Sequence, residues 1–338
     1  MSKAAIVGTT TWGVTLSMLL AQKGVSVTLI ARSPEEASRL AAAGEHPVFL
    51  PGIPFPPGLV VAPIQSFSQE PDQALVLAVP SASMRRNLLD LRDRLAAGAL
   101  VVSASKGLET GSGLRMSEVI SEELGRELSP RICVLSGPNL AREVARGLPA
   151  VAVVASTDIA AAEEVRELFM APTFRVYTNP DLIGVEMGGS LKNIIALGAG
   201  ISDGLGYGDN AKAALVTRGL AEITRLGVAL GARPATFAGL AGLGDLVTTC
   251  ASPLSRNHFV GEQLARGRSL EEILASMVNV AEGVNTTRAA YDLAQRLGID
   301  MPITGQMYRV LFQGKEPRRA VAELMLREAK PELESFPL

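Results

Sequence analysis

Histidine is nearly absent from this chain. Its 338 residues include two, His46 and His258. That excludes a histidine-rich metal centre and removes the commonest proton shuttle, so an enzyme built here moves protons with another side chain. Cysteine is equally scarce. Cys133 and Cys250 lie far apart and outside any C-x-x-C spacing, which excludes a disulfide framework and a zinc knuckle. No metal site is expected. Nor does charge of one sign dominate. Lys and Arg number 32 and Asp and Glu 34, a formal charge of -2. Such balance excludes the broad basic surface that nucleic acid needs, but leaves room for one basic pocket and a small anion. Long apolar runs are missing too. Ala4–Val7 stops at Gly8, too short for a signal-peptide core, and no stretch reaches the ~18 apolar residues of a membrane span. A cytoplasmic location, reduced thiols and no membrane span are the expectation.

What is present is core-forming material. Hydrophobic residues make up 47% of the chain. At roughly 150 residues per domain the length suggests about two domains. Short apolar runs punctuate the first half: Ala4–Val7, Val25–Ile30, Ala74–Val79, Leu100–Ser103, Arg131–Leu135, Ala150–Ala155 and Phe174–Tyr177. Runs of this kind suit parallel strands buried on both faces. Helical patterns separate several of them, at Trp12–Lys23, Ser83–Ala96, Leu114–Leu124 and Ile159–Phe169. The alternation predicts an α/β fold, an N-terminal Rossmann-like doubly wound domain. Glu45–Pro63 breaks the pattern with six prolines and two glycines, and reads as a loop or edge excursion near the ligand edge.

The pattern changes at Asn179-Pro180. Beyond it there is no convincing strand periodicity. Helical stretches follow at Leu182–Gly200, Asn210–Gly231, Ser269–Met277, Asn285–Leu297, Gln306–Leu311 and Arg318–Ala329. The expected organisation is therefore a Rossmann-like domain over residues 1–179 and an all-α domain over residues 180–338.

Several segments carry chemistry. Gly8-Thr9-Thr10-Thr11-Trp12-Gly13 joins the first strand to a helix, where a dinucleotide-binding G-x-G-x-x-G turn belongs. Its first and third glycines are present. Thr10 replaces the middle one, so its Cβ is expected to hold a pyrophosphate away unless the hydroxyl compensates. The second strand ends Ala31-Arg32-Ser33 without an acid, and Arg32 could meet a ribose 2′-phosphate. Lys106 precedes Gly107 at a strand tip, where open α/β sheets bind ligands. Ser136-Gly137-Pro138-Asn139 marks another such tip, readable equally as a turn and helix cap. Lys192 sits among Leu191, Ile194, Ile195 and Leu197. Either it is desolvated, with a lowered pKa, or its stem packs while the ammonium reaches water. Asp245 and Thr249, four apart, share one helix face. Ser255-Arg256-Asn257 gathers donors suited to phosphate oxygens. Val280-Ala281-Glu282 adds an acidic turn.

In order and spacing, these segments resemble the bacterial-type NAD(P)-dependent glycerol-3-phosphate dehydrogenase family over nearly the whole chain. The most specific parts are Ala104-Ser105-Lys106-Gly107-Leu108, Gly188-Gly189-Ser190-Leu191-Lys192-Asn193 and Gly242-Leu243-Gly244-Asp245-Leu246, with Ser136-Gly137-Pro138, Gly204–Lys212 and Ser255-Arg256-Asn257 beside them. The resemblance implies reversible reduction of dihydroxyacetone phosphate to sn-glycerol 3-phosphate with NADH or NADPH, for phospholipid synthesis. It implies Lys192 as proton donor, oriented by Asp245 and Thr249, with Lys106 as a second lysine near substrate and nicotinamide. Substrate contacts would be Gly137, Asn139, Ser255, Arg256 and Asn257, with Arg256 on phosphate. Cofactor contacts would be Gly8, Thr10, Thr11, Trp12, Gly13, Arg32, Ser33, Ala141, Val280 and Glu282, together with Lys106 and Arg256. A homodimer is compatible with the resemblance. Two alternatives stand beside it: another β-hydroxyacid or ketopantoate-type reductase with the same two-domain plan, and a non-catalytic dinucleotide sensor that has lost turnover.

Overall fold

The computed structural model describes residues 2–70, 72–96, 98–329 and 331–332. The outermost ends of the two expected domains, Met1 and residues 333–338, lie outside the described residues.

Eight strands form one sheet: β1 (Lys3–Val7), β2 (Ser26–Ala31), β3 (Leu59–Pro63), β4 (Gln73–Leu77), β5 (Val101–Ser103), β6 (Ile132–Ser136), β7 (Ala150–Ala155) and β8 (Phe174–Asn179). Their order is β3-β2-β1-β4-β5-β6-β7-β8. The seven apolar runs all become strands. The eighth, β3, lies inside the proline-rich segment. It pairs only with β2 at the sheet edge, where Pro63 needs no ladder hydrogen bond on its outer side. Helices α1 (Thr11–Gln22), α2 (Pro34–Ala43), α3 (Met84–Leu91), α4 (Met116–Leu124), α5 (Ala141–Ala145) and α6 (Ile159–Phe169) connect the strands. They cover both faces, so the sheet separates two apolar cores. One gathers Ile6, Leu16, Leu29 and Val76; the other gathers Val7, Leu75, Leu88 and Val119.

One joint departs from a uniformly parallel sheet. β7 runs antiparallel to β6, while β8 runs parallel to β7. The only helix between β6 and β7 is the five-residue α5. It is too short to carry the chain back across the sheet, as a parallel crossover requires.

From Leu182 onward the described residues are helical: α7 (Leu182–Gly204), α8 (Gly208–Ala229), α9 (Pro234–Phe237), α10 (Asp245–Ala251), α11 (Arg256–Ala265), α12 (Leu270–Ala275), α13 (Glu282–Leu297), α14 (Pro302–Phe312) and α15 (Pro317–Met325). A π-helical segment, Leu240–Gly244, leads into α10. The axis of this half is α7, which is buried from Gly184 to Ser202. A helix apolar on all sides belongs in a core. Glycines let α11 lie directly against it. A Cβ on Gly200 would stand 1.9 Å from the His258 carbonyl oxygen, and one on Gly261 would stand 2.0 Å from that of Leu197.

Two acids fix α7 at its start. Asp181 caps it, accepting from the Gly184 amide at 2.9 Å and from Thr236 Oγ1 at 2.6 Å. Glu186 reaches the N-terminus of α4, accepting from the Ser117 amide at 2.8 Å and pairing with Arg115 at 2.6 Å. Burial pushes the Glu186 carboxyl above its usual range, and Arg115 opposes that shift. The helix that carries Lys192 is thereby tied to the sheet half.

Among the described residues no single helix is long and apolar enough to cross a membrane. A bent pair, Pro234–Ala251 with Arg256–Ala265, passes by length and composition alone, as core helices do.

Candidate active site

A cleft of about 1420 Å³ runs from the strand tips to α7, α10 and α11. At its centre one carboxylate holds two ammonium groups. Asp245 Oδ1 stands 2.7 Å from Lys192 Nζ, and Asp245 Oδ2 stands 2.5 Å from Lys106 Nζ. Thr249 completes the cluster. Lys192 donates to its hydroxyl at 2.5 Å, and that hydroxyl donates to Asp245 Oδ1 at 3.2 Å. The helical spacing of Asp245 and Thr249 makes this possible. The strand-tip residue Lys106 also donates to the Gly137 carbonyl at 2.9 Å.

Of the two sequence readings of Lys192, the desolvated one describes the structure. Lys192 is 6% exposed. Burial pulls its pKa down to about 8; Asp245 pulls the other way, and the Lys106 charge adds to the lowering. An ammonium so placed sheds its proton close to neutral pH.

Arg256 behaves differently. It opens α11 and is exposed to the cleft, with no hydrogen bond or ion pair among the described residues. Its neighbours are engaged. Ser255 Oγ accepts from the His258 amide at 3.2 Å and keeps its own hydrogen for another acceptor. Asn257 donates to Asn193 Oδ1 at 2.8 Å and accepts from the Gly283 amide at 2.9 Å. The expected donor cluster is thus one free guanidinium at a helix N-terminus, braced by two fixed side chains. Such an arrangement seats an anion. Asn193 is a member that sequence reasoning quoted in a motif but did not single out.

At the other end, the glycine turn fits a dinucleotide. Gly8 adopts φ 110°, and a Cβ there would stand 2.7 Å from the Ala78 carbonyl oxygen. A Cβ on Gly13 would stand 2.0 Å from the Gly8 carbonyl oxygen, so α1 sits directly on the turn. Thr10 is turned away from the role expected of it. Its hydroxyl donates to the Ala78 carbonyl at 2.8 Å and accepts from the Gly13 amide at 3.1 Å, capping α1. Its backbone is extended, at φ -68°, and needs no glycine. The amides of Thr11 and Trp12 keep no protein acceptor among the described residues and open the helix toward the cleft. Free amides at a helix N-terminus suit the oxygens of a pyrophosphate.

Most of the remaining expected residues line the same cleft: Arg32, Asn139, Ala141, Val280 and Glu282. Gly13, Ser33 and Gly137 stand behind its wall. Ser33 caps α2, accepting from the Glu36 amide at 3.2 Å. Gly137 acts through its carbonyl on Lys106. Asn139 donates to the Val151 carbonyl at 3.0 Å, and its buried Oδ1 has no partner. Glu282 accepts from Ser81, at 3.1 Å from the amide and 2.5 Å from the hydroxyl, and burial pushes its carboxyl up. Ser81 was missed by sequence reasoning, as were Thr9 and Glu36, which also line the cleft. Part of the proline-rich segment does reach the ligand edge, where His46, Val48 and Phe49 line the cleft. Neither histidine joins the lysine cluster. His46 accepts from the Phe49 amide and His258 pairs with Asp203. Both cysteines are free and buried, and the described residues hold no group of three or more metal-ligating side chains.

A Rossmann sheet with a glycine turn, facing a buried lysine across a cleft, defines an NAD(P)-dependent oxidoreductase. Two family descriptions match this chain. "NAD-dependent glycerol-3-phosphate dehydrogenase N-terminus" matches residues 3–162 and "NAD-dependent glycerol-3-phosphate dehydrogenase C-terminus" matches residues 181–322. The chain belongs to the NAD-dependent glycerol-3-phosphate dehydrogenase family. It is 53% identical to glycerol-3-phosphate dehydrogenase [NAD(P)+] of Dehalococcoides mccartyi strain 195, over 98% of this chain and 93% of that one. It is 51% identical to the enzyme of the same name from Geobacter metallireducens, over 98% of both. The crystal structure of glycerol-3-phosphate dehydrogenase from Coxiella burnetii superposes with a TM-score of 0.90 at 36% identity, covering 96% of this chain and 99% of that one.

Proposed function

We propose that this chain reduces dihydroxyacetone phosphate to sn-glycerol 3-phosphate with NADH or NADPH, reversibly, for glycerophospholipid synthesis. The observation that carries this reading is the juxtaposition of the Lys192–Asp245–Lys106 cluster with the unpaired Arg256 in one cleft. Arg256 takes the substrate phosphate, with Ser255 and the opening of α11 beside it. Its charge, with Glu282 nearby, adds to that of the net positive lysine cluster and suits a phosphate dianion. This concentrated charge sits in a protein of formal charge -2.

When bound, the nicotinamide supplies a hydride to the carbonyl carbon. Lys192 Nζ gives its proton to the carbonyl oxygen as negative charge develops there. Asp245 and Thr249 hold that ammonium in place and keep it protonated below its lowered pKa. Lys106 stands on the other side of the carboxylate and stabilises the developing alkoxide by its charge. In the reverse direction, neutral Lys192 takes the hydroxyl proton. The Thr11 and Trp12 amides would hold the pyrophosphate, with Gly8 and Gly13 shaping the turn behind them, while Arg32, Ala141, Val280 and Glu282 would border the rest of the cofactor and Ser33 would act through the cap of α2. Gly137 and Asn139 border the substrate, Gly137 by positioning Lys106.

The direct test is oxidation of NADH or NADPH dependent on dihydroxyacetone phosphate. Absence of turnover with either cofactor, on folded protein, overturns the reading. Preference for an unphosphorylated 2-oxoacid would instead favour the ketopantoate-type alternative. The same reading includes a domain boundary at residues 179–180, where β8 ends just before α7. It also includes a cytoplasmic location and a homodimer, which fractionation and sedimentation would test.

A further inference from the structure

At the adenosine end of the cleft stands a carboxylate in a position that the strand sequence does not announce. Glu36 lies in the first turn of α2 and bends back over the tip of β2. Its Oε1 accepts from Thr9 Oγ1, in the glycine turn, at 2.8 Å. Its Oε2 accepts from the Arg32 amide at 3.2 Å and stands 3.6 Å from Arg32 Nε. The Glu36 side chain is 15% exposed and that of Arg32 is 89% exposed. Both line the cleft, with Arg39 beside them. The carboxylate is therefore fixed from two sides, whereas the guanidinium paired with it is free to swing.

In Rossmann folds an acid at the end of the second strand accepts from the 2′-hydroxyl of the adenosine ribose, and a nearby arginine accommodates a 2′-phosphate instead; Glu36 brings its carboxylate to that strand tip from α2. Here both are present, and the acid is the immobile partner. We infer that Glu36 selects NADH over NADPH, its fixed carboxylate repelling a 2′-phosphate at the tip of β2. The inference rests on the proposed dinucleotide site and adds the form of the cofactor. Glu36 also braces the start of α2, but a brace weakens both dinucleotides alike when removed. A specificity element changes their ratio.

The test is titration of NADH and NADPH into the full chain, followed by nucleotide fluorescence, with no second substrate. Glu36→Gln keeps an acceptor for Thr9 or for the Arg32 amide while removing the charge. It should shift the ratio of dissociation constants toward NADPH by about tenfold or more. Adding Arg32→Ala to Glu36→Gln should cancel most of that gain. Thr9→Val, which frees the carboxylate without removing it, should shift the ratio in the same direction by less. Wild-type protein that binds dinucleotide, with a ratio unmoved by Glu36→Gln, overturns the inference and leaves the dehydrogenase reading standing. Wild-type protein that binds neither dinucleotide overturns the dehydrogenase reading itself.

Discussion

Asp245 serves Lys192 and Lys106 with different oxygens of one carboxylate, Oδ1 at 2.7 Å and Oδ2 at 2.5 Å. The two lysines come from opposite halves of the molecule, Lys106 from the tip of β5 and Lys192 from α7. The carboxylate is thus both the counter-ion of the site and one of the joints across which the halves meet. Removing its charge would leave the buried Lys192 ammonium facing the Lys106 charge without its counter-ion, which lowers the Lys192 pKa further.

Replacing Lys192 by methionine keeps the buried stem and deletes the proton. Asp245 retains Lys106 as its partner, so the carboxylate is not stranded. The expected outcome is a fall in kcat of about a hundredfold to ten-thousandfold with NADH affinity nearly unchanged. Steady-state kinetics beside a binding titration checks both halves. Equal losses in kcat and in cofactor affinity would contradict the proton-donor role.

The direction of the pH dependence follows from the same residue. Burial lowers the Lys192 pKa to about 8. Ketone reduction uses the protonated form, so kcat/KM should be level below that value and fall above it, by about tenfold per pH unit. Alcohol oxidation uses the neutral form and should rise through the same pH. A reduction profile that stays level up to about pH 10 would assign the proton to another group.

Arg256 supplies a different readout. Arg256→Ala should raise KM for dihydroxyacetone phosphate about tenfold to a hundredfold, the range of a charge-assisted hydrogen bond. Slow turnover of unphosphorylated dihydroxyacetone should change little, because it brings no anion to the site. Comparing the two substrates on one variant isolates the phosphate contact. An equal loss on both would mean that Arg256 shapes the cleft rather than binding phosphate.

Much of the fold was legible because burial on both faces writes β1, β4 and β6 as continuous apolar runs, and solvation on one face gives α6 its period. β3 was not legible, since an edge strand faces little core and its prolines read as loop. The short helices α9 and α11 were missed, and α10 was read only through the spacing of Asp245 and Thr249, for a related reason. They are held by packing on α7, and glycines at the contacts erase the usual pattern of apolar faces. In the site, the spacing of Asp245 and Thr249 was readable because i and i+4 share a helix face. The pairing of Lys106 with Asp245 was not, because 139 residues separate them and only the tertiary fold joins them. Glu36 had a local signal. Ser33-Pro34-Glu35-Glu36 has the form of a helix start, with a serine cap, proline in the first turn and an acid three residues on. Looking for the acid at the strand end itself passed over it.

Thr10 gives the last prediction, and here its hydrogen bonds argue against the expectation from the turn motif. With a glycine missing from the phosphate turn, Thr10→Gly would be expected to tighten cofactor binding. The hydroxyl, however, is committed to the Ala78 carbonyl and the Gly13 amide, and the extended backbone at this position suits any residue. What Thr10 supplies is a helix cap and a tie to β4. Thr10→Ala should therefore destabilise the chain by about 1 kcal/mol, the usual cost of losing an N-cap. Thr10→Gly should leave NADH affinity unchanged or slightly weaker, because a looser turn presents the Thr11 and Trp12 amides less rigidly. Chemical denaturation and an NADH titration on both variants check this. Clearly tighter binding by Thr10→Gly would show that the threonine Cβ obstructs the pyrophosphate after all.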